Sequence, residues 1–289
     1  MIASRFELLV KLRTHMGLFI AGLLCAQAMP AGAVLFYTTS DPNYNTAPPA
    51  KAFTNSGWEC TGQWGQYVGT AIASKYFITA AHVGGSVGDP FVFHGVTNLT
   101  TAVYQDPETD LIIWRVDGEL APVAPLYTKR HERGKGEIVI GRGTLRGAEV
   151  RVNGVLSGWE WDGYDGLQRW GRSVVAGITP DDYLWMVFRA RSKSSGVDLS
   201  GGDSGGPVFI KDGKSWKLAG VNYAVDGPFN TTTSGDGFEA AIFDARGLYV
   251  AEGTNWTLIP EVHAKVPTGF YATRISSRTN WINSVIQQP

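Results

Sequence analysis

The segment Gly201-Gly202-Asp203-Ser204-Gly205-Gly206-Pro207 decides how the rest of this chain is read. Glycines close on both sides of a serine let another backbone approach it. They also let neighbouring N–H groups converge on one point, and such donors stabilise an oxyanion by about 3–4 kcal/mol in serine hydrolases. Read alone, the segment serves equally well as a tight turn between strands.

A serine hydroxyl attacks poorly without a positioned base. Beyond residue 33 the histidines are His82, His94, His131 and His263. His82 closes Ile78-Thr79-Ala80-Ala81-His82, an apolar strand running into a Gly-rich loop, and a strand end is a rigid mount. His94 ends a β-like run and reads as structural. His131 lies in a charged connection, and His263 in a late segment where it can line a pocket rim. A base needs a carboxylate to fix its tautomer. Asp110 enters the apolar strand Leu111-Ile112-Ile113-Trp114, where an unpaired acid is costly to bury. Asp106 and Asp117 read as turn residues.

Around these positions lie short runs rich in β-branched and aromatic residues, punctuated by Gly, Asp or Asn. They cover Tyr67–Ala73, Tyr76–Ala80, Pro90–His94, Leu111–Val116, Glu137–Ile140, Val150–Leu156, Leu184–Arg189, Pro207–Ile210 and Trp216–Tyr223. Glycine is about 12% of the chain against roughly 7% in average proteins, which favours turn-rich β structure over bundles. Ala121–Gly136 reads as a surface connection between domains 34–125 and 126–289, its Lys129–Arg133 charge run as a solvated linker. Ser276–Gln287 places Trp281, Ile282, Val285 and Ile286 on one helical face, so the chain should end in an amphipathic helix. Phe238–Val250 fits a hairpin or a short helix.

Taken in chain order, Thr79-Ala80-Ala81-His82, Thr109-Asp110-Leu111-Ile112 and Gly202-Asp203-Ser204-Gly205-Gly206-Pro207 resemble the motifs of the trypsin/chymotrypsin family of serine endopeptidases. The ending Gly269–Ile275 with Trp281-Ile282 is similar to that family's last strand and terminal helix. The resemblance runs from about Gly57 to Ile286, with an unmatched insertion near Asp226–Lys265. It implies an all-β fold of two six-stranded antiparallel barrels with a C-terminal α-helix, the site lying in the cleft between them. By the same resemblance Ser204 is the nucleophile, His82 the base and Asp110 its orienting acid, with an oxyanion hole from the N–H groups of Gly202 and Ser204.

The departures matter too. The family's common cysteine pair is replaced by Val83 and Tyr67, and Ser200 stands where another cysteine is usual. Asp198, six residues before Ser204, matches the acid that selects Arg or Lys in trypsin-like members, and reads equally as a loop aspartate. The basic-Ile-Val-Gly-Gly activation sequence is missing. Trp159, Trp161, Tyr164 and Trp170 read equally as a ledge for substrate, as core packing or as a self-packed loop.

Residues 1–33 read as a secretory signal, with Arg5, Lys11 and Arg13 before the apolar run Met16–Ala28 and a small-x-small site at Ala31-Gly32-Ala33. An uncleaved anchor is the other reading. Cleavage leaves Val34 first, and its amine is then available to the acid that Asp203 matches. Removing three basic residues and Glu7 takes the net charge from −1 to −3 and leaves Cys60 without a partner, as a buried apolar side chain or a free thiol. Sequons occur at Asn98, Asn230 and Asn255. A net charge of −1 offers no basic footprint for nucleic acid. No metal-binding spacing appears, apart from acidic loops that would suit a structural calcium, so no cofactor is expected. The expectation is a secreted, monomeric endopeptidase acting on proteins or peptides, free of the membrane after signal cleavage. The alternatives are a binding protein on an inactive protease fold, and a serine esterase, since the Ser204 segment also satisfies G-x-S-x-G.

Overall fold

The computed structural model describes residues 34–191 and 196–288. The signal reading of residues 1–33 lies outside them. Strand β1 (Leu35–Phe36) precedes a closed six-stranded barrel built from β2 (Thr61–Trp64), β3 (Tyr67–Ala73), β4 (Tyr76–Ala80), β5 (Pro90–Phe93), β6 (Val96–Gln105) and β7 (Leu111–Val116), in the order β2-β3-β4-β7-β6-β5. After β8 (Gly136–Gly141) comes the hairpin β9 (Arg146–Val152) and β10 (Val155–Trp161), then β11 (Arg169–Ile178), β12 (Tyr183–Val187) and the short β13 (Val197–Asp198). β14 (Pro207–Asp212) and β15 (Ser215–Val225) follow, and β20 (Gly269–Arg274) closes the second barrel in the order β11-β12-β20-β15-β14-β8. The chain ends in α1 (Thr279–Ile286). This is the two-barrel all-β fold with a terminal helix that the sequence led us to expect.

β4 and β7 read as unbroken apolar runs because both of their faces are buried. Phe77, Ile112 and Trp114 fill the first barrel with Trp64 and Phe91, and the Phe77 and Phe91 rings stack 3.9 Å apart. The alternate residues Ile78, Ala80, Leu111 and Ile113 face outward and meet Ile138, Ile140, Phe209 and Val221 of the second barrel. Ile282 and Val285 of α1 close the same cluster. Burial of apolar area at roughly 25 cal/mol per Å² makes this seam the main bond between the barrels.

Two acids read as solvated are buried. Asp106, 2% exposed, takes a two-toothed ion pair from Arg278 at 2.5 and 2.7 Å, so it anchors the start of α1 to the first barrel. Glu132, in the charge run, is also buried and binds Arg274 at 2.8 and 2.9 Å and the Ser276 hydroxyl at 2.5 Å. Burial alone would raise its pKa, but these hydrogen bonds hold it below the ordinary carboxylate range.

The insertion contains no helix among its described residues. Its strand β17 (Ala240–Ile242) adds to β10, giving a sheet in the order β17-β10-β9. β16 (Phe229–Asn230), β18 (Tyr249–Glu252) and β19 (Asn255–Leu258) form a second small sheet. Of the sequon asparagines, Asn98 and Asn230 are buried and donate to backbone carbonyls, while Asn255 is exposed.

Glu137 on β8 stands opposite Ser173 of β11 and Ile210 of β14. Neither of its carboxyl oxygens has a hydrogen-bond partner, nor has the Ser173 hydroxyl. Burial pushes the Glu137 pKa up to about 8. The folded state therefore holds its proton where the unfolded state releases it, and stability falls as pH rises from about 4.5 to about 8. Glu137→Gln is expected to raise the melting temperature by several degrees at pH 8.5 and to change it little at pH 4, as read by thermal denaturation across that range.

Candidate active site

His82 sits in a short 3-10 turn, Ala81–Val83, that ends strand β4. Asp110 immediately precedes β7, and β4 and β7 are paired with Ala80 opposite Leu111. That register brings Asp110 beside His82. The carboxylate accepts the His82 backbone N–H at 2.9 Å and lies 2.5 Å from the ring Nδ1. On the other side of the ring, Nε2 is 2.8 Å from Ser204 Oγ. The His82 side chain is 41% exposed and that of Asp110 14%, so the line opens to solvent from the ring side. Tyr223 packs edge-on against the imidazole, with centroids 6.0 Å apart, and is itself stacked on Tyr183 at 4.7 Å. Burial raises the Tyr183 pKa, and the neighbouring Tyr223 raises it further. The aromatic pair backs the imidazole from the second barrel. Sequence reading did not single it out, because Tyr183 and Tyr223 are 40 residues apart and neither lies in a motif.

Ser204 owes its position to the loop that carries it. Gly202 has φ +98° and Gly205 φ +78°, conformations that side chains rarely adopt. A Cβ on Gly205 would also run into Thr79 Oγ1 and lie 2.8 Å from the Val68 carbonyl, so the loop can lie directly against the first barrel only as glycine. The N–H groups of Gly202 and Ser204 have no hydrogen-bond partner among the described residues, while Asp203, Gly205 and Gly206 donate theirs inward.

Asp203 fastens this loop from beneath. Its carboxylate accepts the N–H groups of Gly143 at 2.8 Å, Ser200 at 2.9 Å and Val34 at 3.4 Å, with the Ser200 hydroxyl at 3.2 Å. Burial nevertheless pushes its pKa up to about 6. Ser200, in the family's cysteine position, thus helps to hold the loop by hydrogen bonds.

A model of the trypsin-like peptidase domain matches residues 67–221, more than half of the chain. The chain belongs to the trypsin-like peptidase family. Among solved structures, neuropsin, a serine protease expressed in the limbic system of mouse brain, is 14% identical, with a TM-score of 0.52 over 82% of this chain and 97% of its own. A mutant of human heparin binding protein is also 14% identical, with a TM-score of 0.51 over 83% of this chain and 95% of its own. At such identity the likeness concerns the fold. No curated protein matches the sequence.

In this trypsin-like peptidase a cavity of about 160 Å³ opens beside Ser204, between Leu199–Gly201 and Asn222–Val225, with Trp161 and Glu239 as its outer wall. Asp198 does not line it. That residue is 2% exposed, and its carboxyl accepts the Leu199 N–H at 2.9 Å and the Thr268 hydroxyl at 3.1 Å. Burial pushes its pKa up to about 8. Asp226, half-buried, is held by the Tyr271 hydroxyl at 2.8 Å and the Gly269 N–H at 2.7 Å.

The aromatic group disperses. Trp159 is buried against Tyr37 and Phe243, under the Arg146 guanidinium, and Tyr164 donates to the Gln66 carbonyl. Trp170 packs on Phe53, and only Trp161 of the four reaches the cavity. Elsewhere, His94 bonds to the Glu59 carbonyl and stacks on Phe93. His131 and His263 are exposed, and neither lines the cavity. Burial pushes the Cys60 thiol up to about 12, which leaves it without nucleophilic character at neutral pH. Among the described residues no group of acids, histidines and cysteines is arranged to hold a metal ion.

Gly205→Ala is expected to cost more than about 2 kcal/mol of stability, measured by urea unfolding, because both the backbone conformation and the contact with β4 oppose a methyl group.

Proposed function

We propose that the protein is a secreted serine endopeptidase that cleaves peptide bonds through an acyl-enzyme. The observation that carries this reading is the continuous hydrogen-bonded line from Asp110 through His82 to Ser204. Ser204 Oγ attacks the scissile carbonyl carbon as its proton passes to His82 Nε2. Asp110 keeps the opposite ring nitrogen protonated and stabilises the imidazolium. Negative charge gathers on the carbonyl oxygen, and the N–H groups of Gly202 and Ser204 receive it. His82 then gives its proton to the departing amine, and the peptide leaves as the ester bond to Ser204 remains. Water completes the cycle by the same route in reverse.

Activation follows from the place of Val34. Removal of residues 1–33 leaves a charged amine where the Val34 nitrogen already lies 3.4 Å from the Asp203 carboxylate. An ammonium beside a buried carboxylate favours its ionised form. The loop carrying Ser204 is then held by an ion pair rather than by amide donors alone.

The named likeness to a heparin binding protein supports a second reading, a binding protein on the same fold. A net charge of −1 gives little attraction for a polyanion, and the intact line at Ser204 favours the enzyme. The esterase reading loses ground because β14, not a helix, follows Ser204.

A fluorophosphonate probe is expected to label the protein beginning at Val34, and not its Ser204→Ala variant. His82→Ala should lower kcat on an unfolded protein substrate by at least about a thousandfold. Absence of labelling, or labelling that survives Ser204→Ala, overturns the reading. One additional residue before Val34 is expected to abolish activity while leaving the barrels folded, as judged by circular dichroism. Full activity in that variant refutes the activation route.

A further inference from the structure

The Ser204 loop has a second fastening besides the Asp203 carboxylate, and a single residue of β15 supplies it. Asn222 is 1% exposed. Its backbone N–H donates to the Gly206 carbonyl at 2.8 Å, and its own carbonyl accepts the Gly205 N–H at 3.0 Å. Its side-chain amide gives one proton to the Asp203 carbonyl and the other to the Ile140 carbonyl of β8, each at 3.0 Å. Two carbonyl oxygens can be answered only by the nitrogen end of an amide, so these partners fix which way it points. A Cβ on Gly206 would lie 2.9 Å from that nitrogen and run into the Ile140 carbonyl, so glycine lets the loop come this close.

The bond to the Asp203 carbonyl controls more than the loop's attachment. The peptide between Asp203 and Ser204 is trans, and a trans peptide is planar with its C=O and N–H on opposite sides. Holding the Asp203 carbonyl toward β15 therefore turns the Ser204 N–H the other way. That N–H has no partner among the described residues. The Gly206 N–H also donates to the Asp203 carbonyl, at a longer 3.2 Å, but it belongs to the same loop and moves with it. Asn222 ties the plane to a barrel strand instead. The remaining polar atom of its amide, Oδ1, is buried with no hydrogen-bond partner among the described residues. An oxygen left in that state weakens a fold, so the use of this side chain lies in its two donors.

We propose that Asn222 is a positioning residue of the reaction: its side-chain amide locks the Asp203–Ser204 peptide plane so that the Ser204 N–H faces the point where the substrate's carbonyl oxygen gathers charge. The amide acts through the plane it holds and not by contact with the reacting atoms. A hydrogen bond to a growing negative charge loses much of its strength when the donor swings off line. Loss of the lock therefore slows bond-making at Ser204 and leaves substrate binding little changed. The inference rests on the proposed peptidase activity for its chemistry, whereas the orientation of the plane rests on the hydrogen bonds alone, and the two are tested apart.

The test compares wild type with Asn222→Leu, similar in size but without donors, with Asn222→Ala, and with Ile210→Ala, which weakens the second barrel from its interior. All begin at Val34, and folding is checked by melting temperature. On a fluorogenic peptide, both Asn222 variants should lose at least about tenfold in kcat while KM stays within about threefold. A peptidyl trifluoromethyl ketone, whose adduct carries the oxyanion, should weaken by the same factor as kcat/KM. Ile210→Ala should lower the melting temperature and keep kcat within about threefold. The proposal is overturned by Asn222 variants that keep the wild-type kcat, by a loss confined to KM, or by an Ile210→Ala that loses as much kcat for an equal fall in melting temperature. Crystal structures read the plane without catalysis. In Asn222→Leu, or in Asn222→Ala where the former does not fold, the Asp203 carbonyl should turn from its wild-type direction, and an unmoved plane refutes the proposal. If fluorophosphonate labels nothing but the plane turns in the variant, the peptidase reading fails and the lock by Asn222 stands.

Discussion

Three distant parts of the chain meet at one buried carboxylate. Asp203 collects donors from Gly143 after β8, from Ser200 in its own loop and from Val34 at the start of the described chain. A carboxylate out of water must be satisfied by such donors or lose its charge. Here burial and donors oppose each other, and the net result is a pKa of about 6. The Ser204 loop is therefore shaped by an acid near its point of neutralisation. Its two left-handed glycines and its unanswered N–H groups follow from that anchoring. Whatever sets the charge on Asp203 also sets how firmly the loop holds its form.

The barrels and the insertion divide the work of the cleft. His82 and Asp110 come from β4 and β7, whose pairing is fixed by Ile78, Ile113 and their neighbours in the seam. Ser204 arrives from the second barrel across the same seam. His82 and Asp110 are set by the apolar core, whereas Ser204 also depends on the donors that hold Asp203. The outer cavity wall is different, since Glu239 and Trp161 are positioned by the β17–β10 pairing and by the small core around Phe229, Ile242 and Leu248. The line at Ser204 and the outer cavity wall thus rest on separate packing units.

The strands and the terminal helix could be read from local pattern, namely β-branched runs, turn glycines and one amphipathic stretch, whereas the two-barrel arrangement came from the resemblance. The segments holding His82, Asp110 and Ser204 were legible for a related reason, since each combines an unusual residue with an apolar strand or a glycine run. What escaped depends on contacts distant in sequence. Asp106 looks like a turn residue until Arg278, 172 positions later, is placed beside it. Glu132 looks solvated until Arg274 and Ser276 close over it. Asp198 lies at the spacing of a pocket acid, and its bonds to Thr268 and Leu199 could not be read from that spacing. The four aromatics of residues 159–170 are neighbours in sequence, yet strand pairing sends them to different surfaces. Glu239, in the outer cavity wall, comes from a segment with no family counterpart to suggest it.

Cys60 is the lone cysteine of the described chain, and it is buried. The chain's distant segments are tied instead by Ser200 to Asp203, by Arg278 to Asp106 and by Arg274 to Glu132. Such ties form as soon as the partners meet and need no oxidant, isomerase or pairing search. Of these ties, the one between Arg274 and Glu132, whose acid is held below the ordinary carboxylate range, is the one that falling pH dissolves.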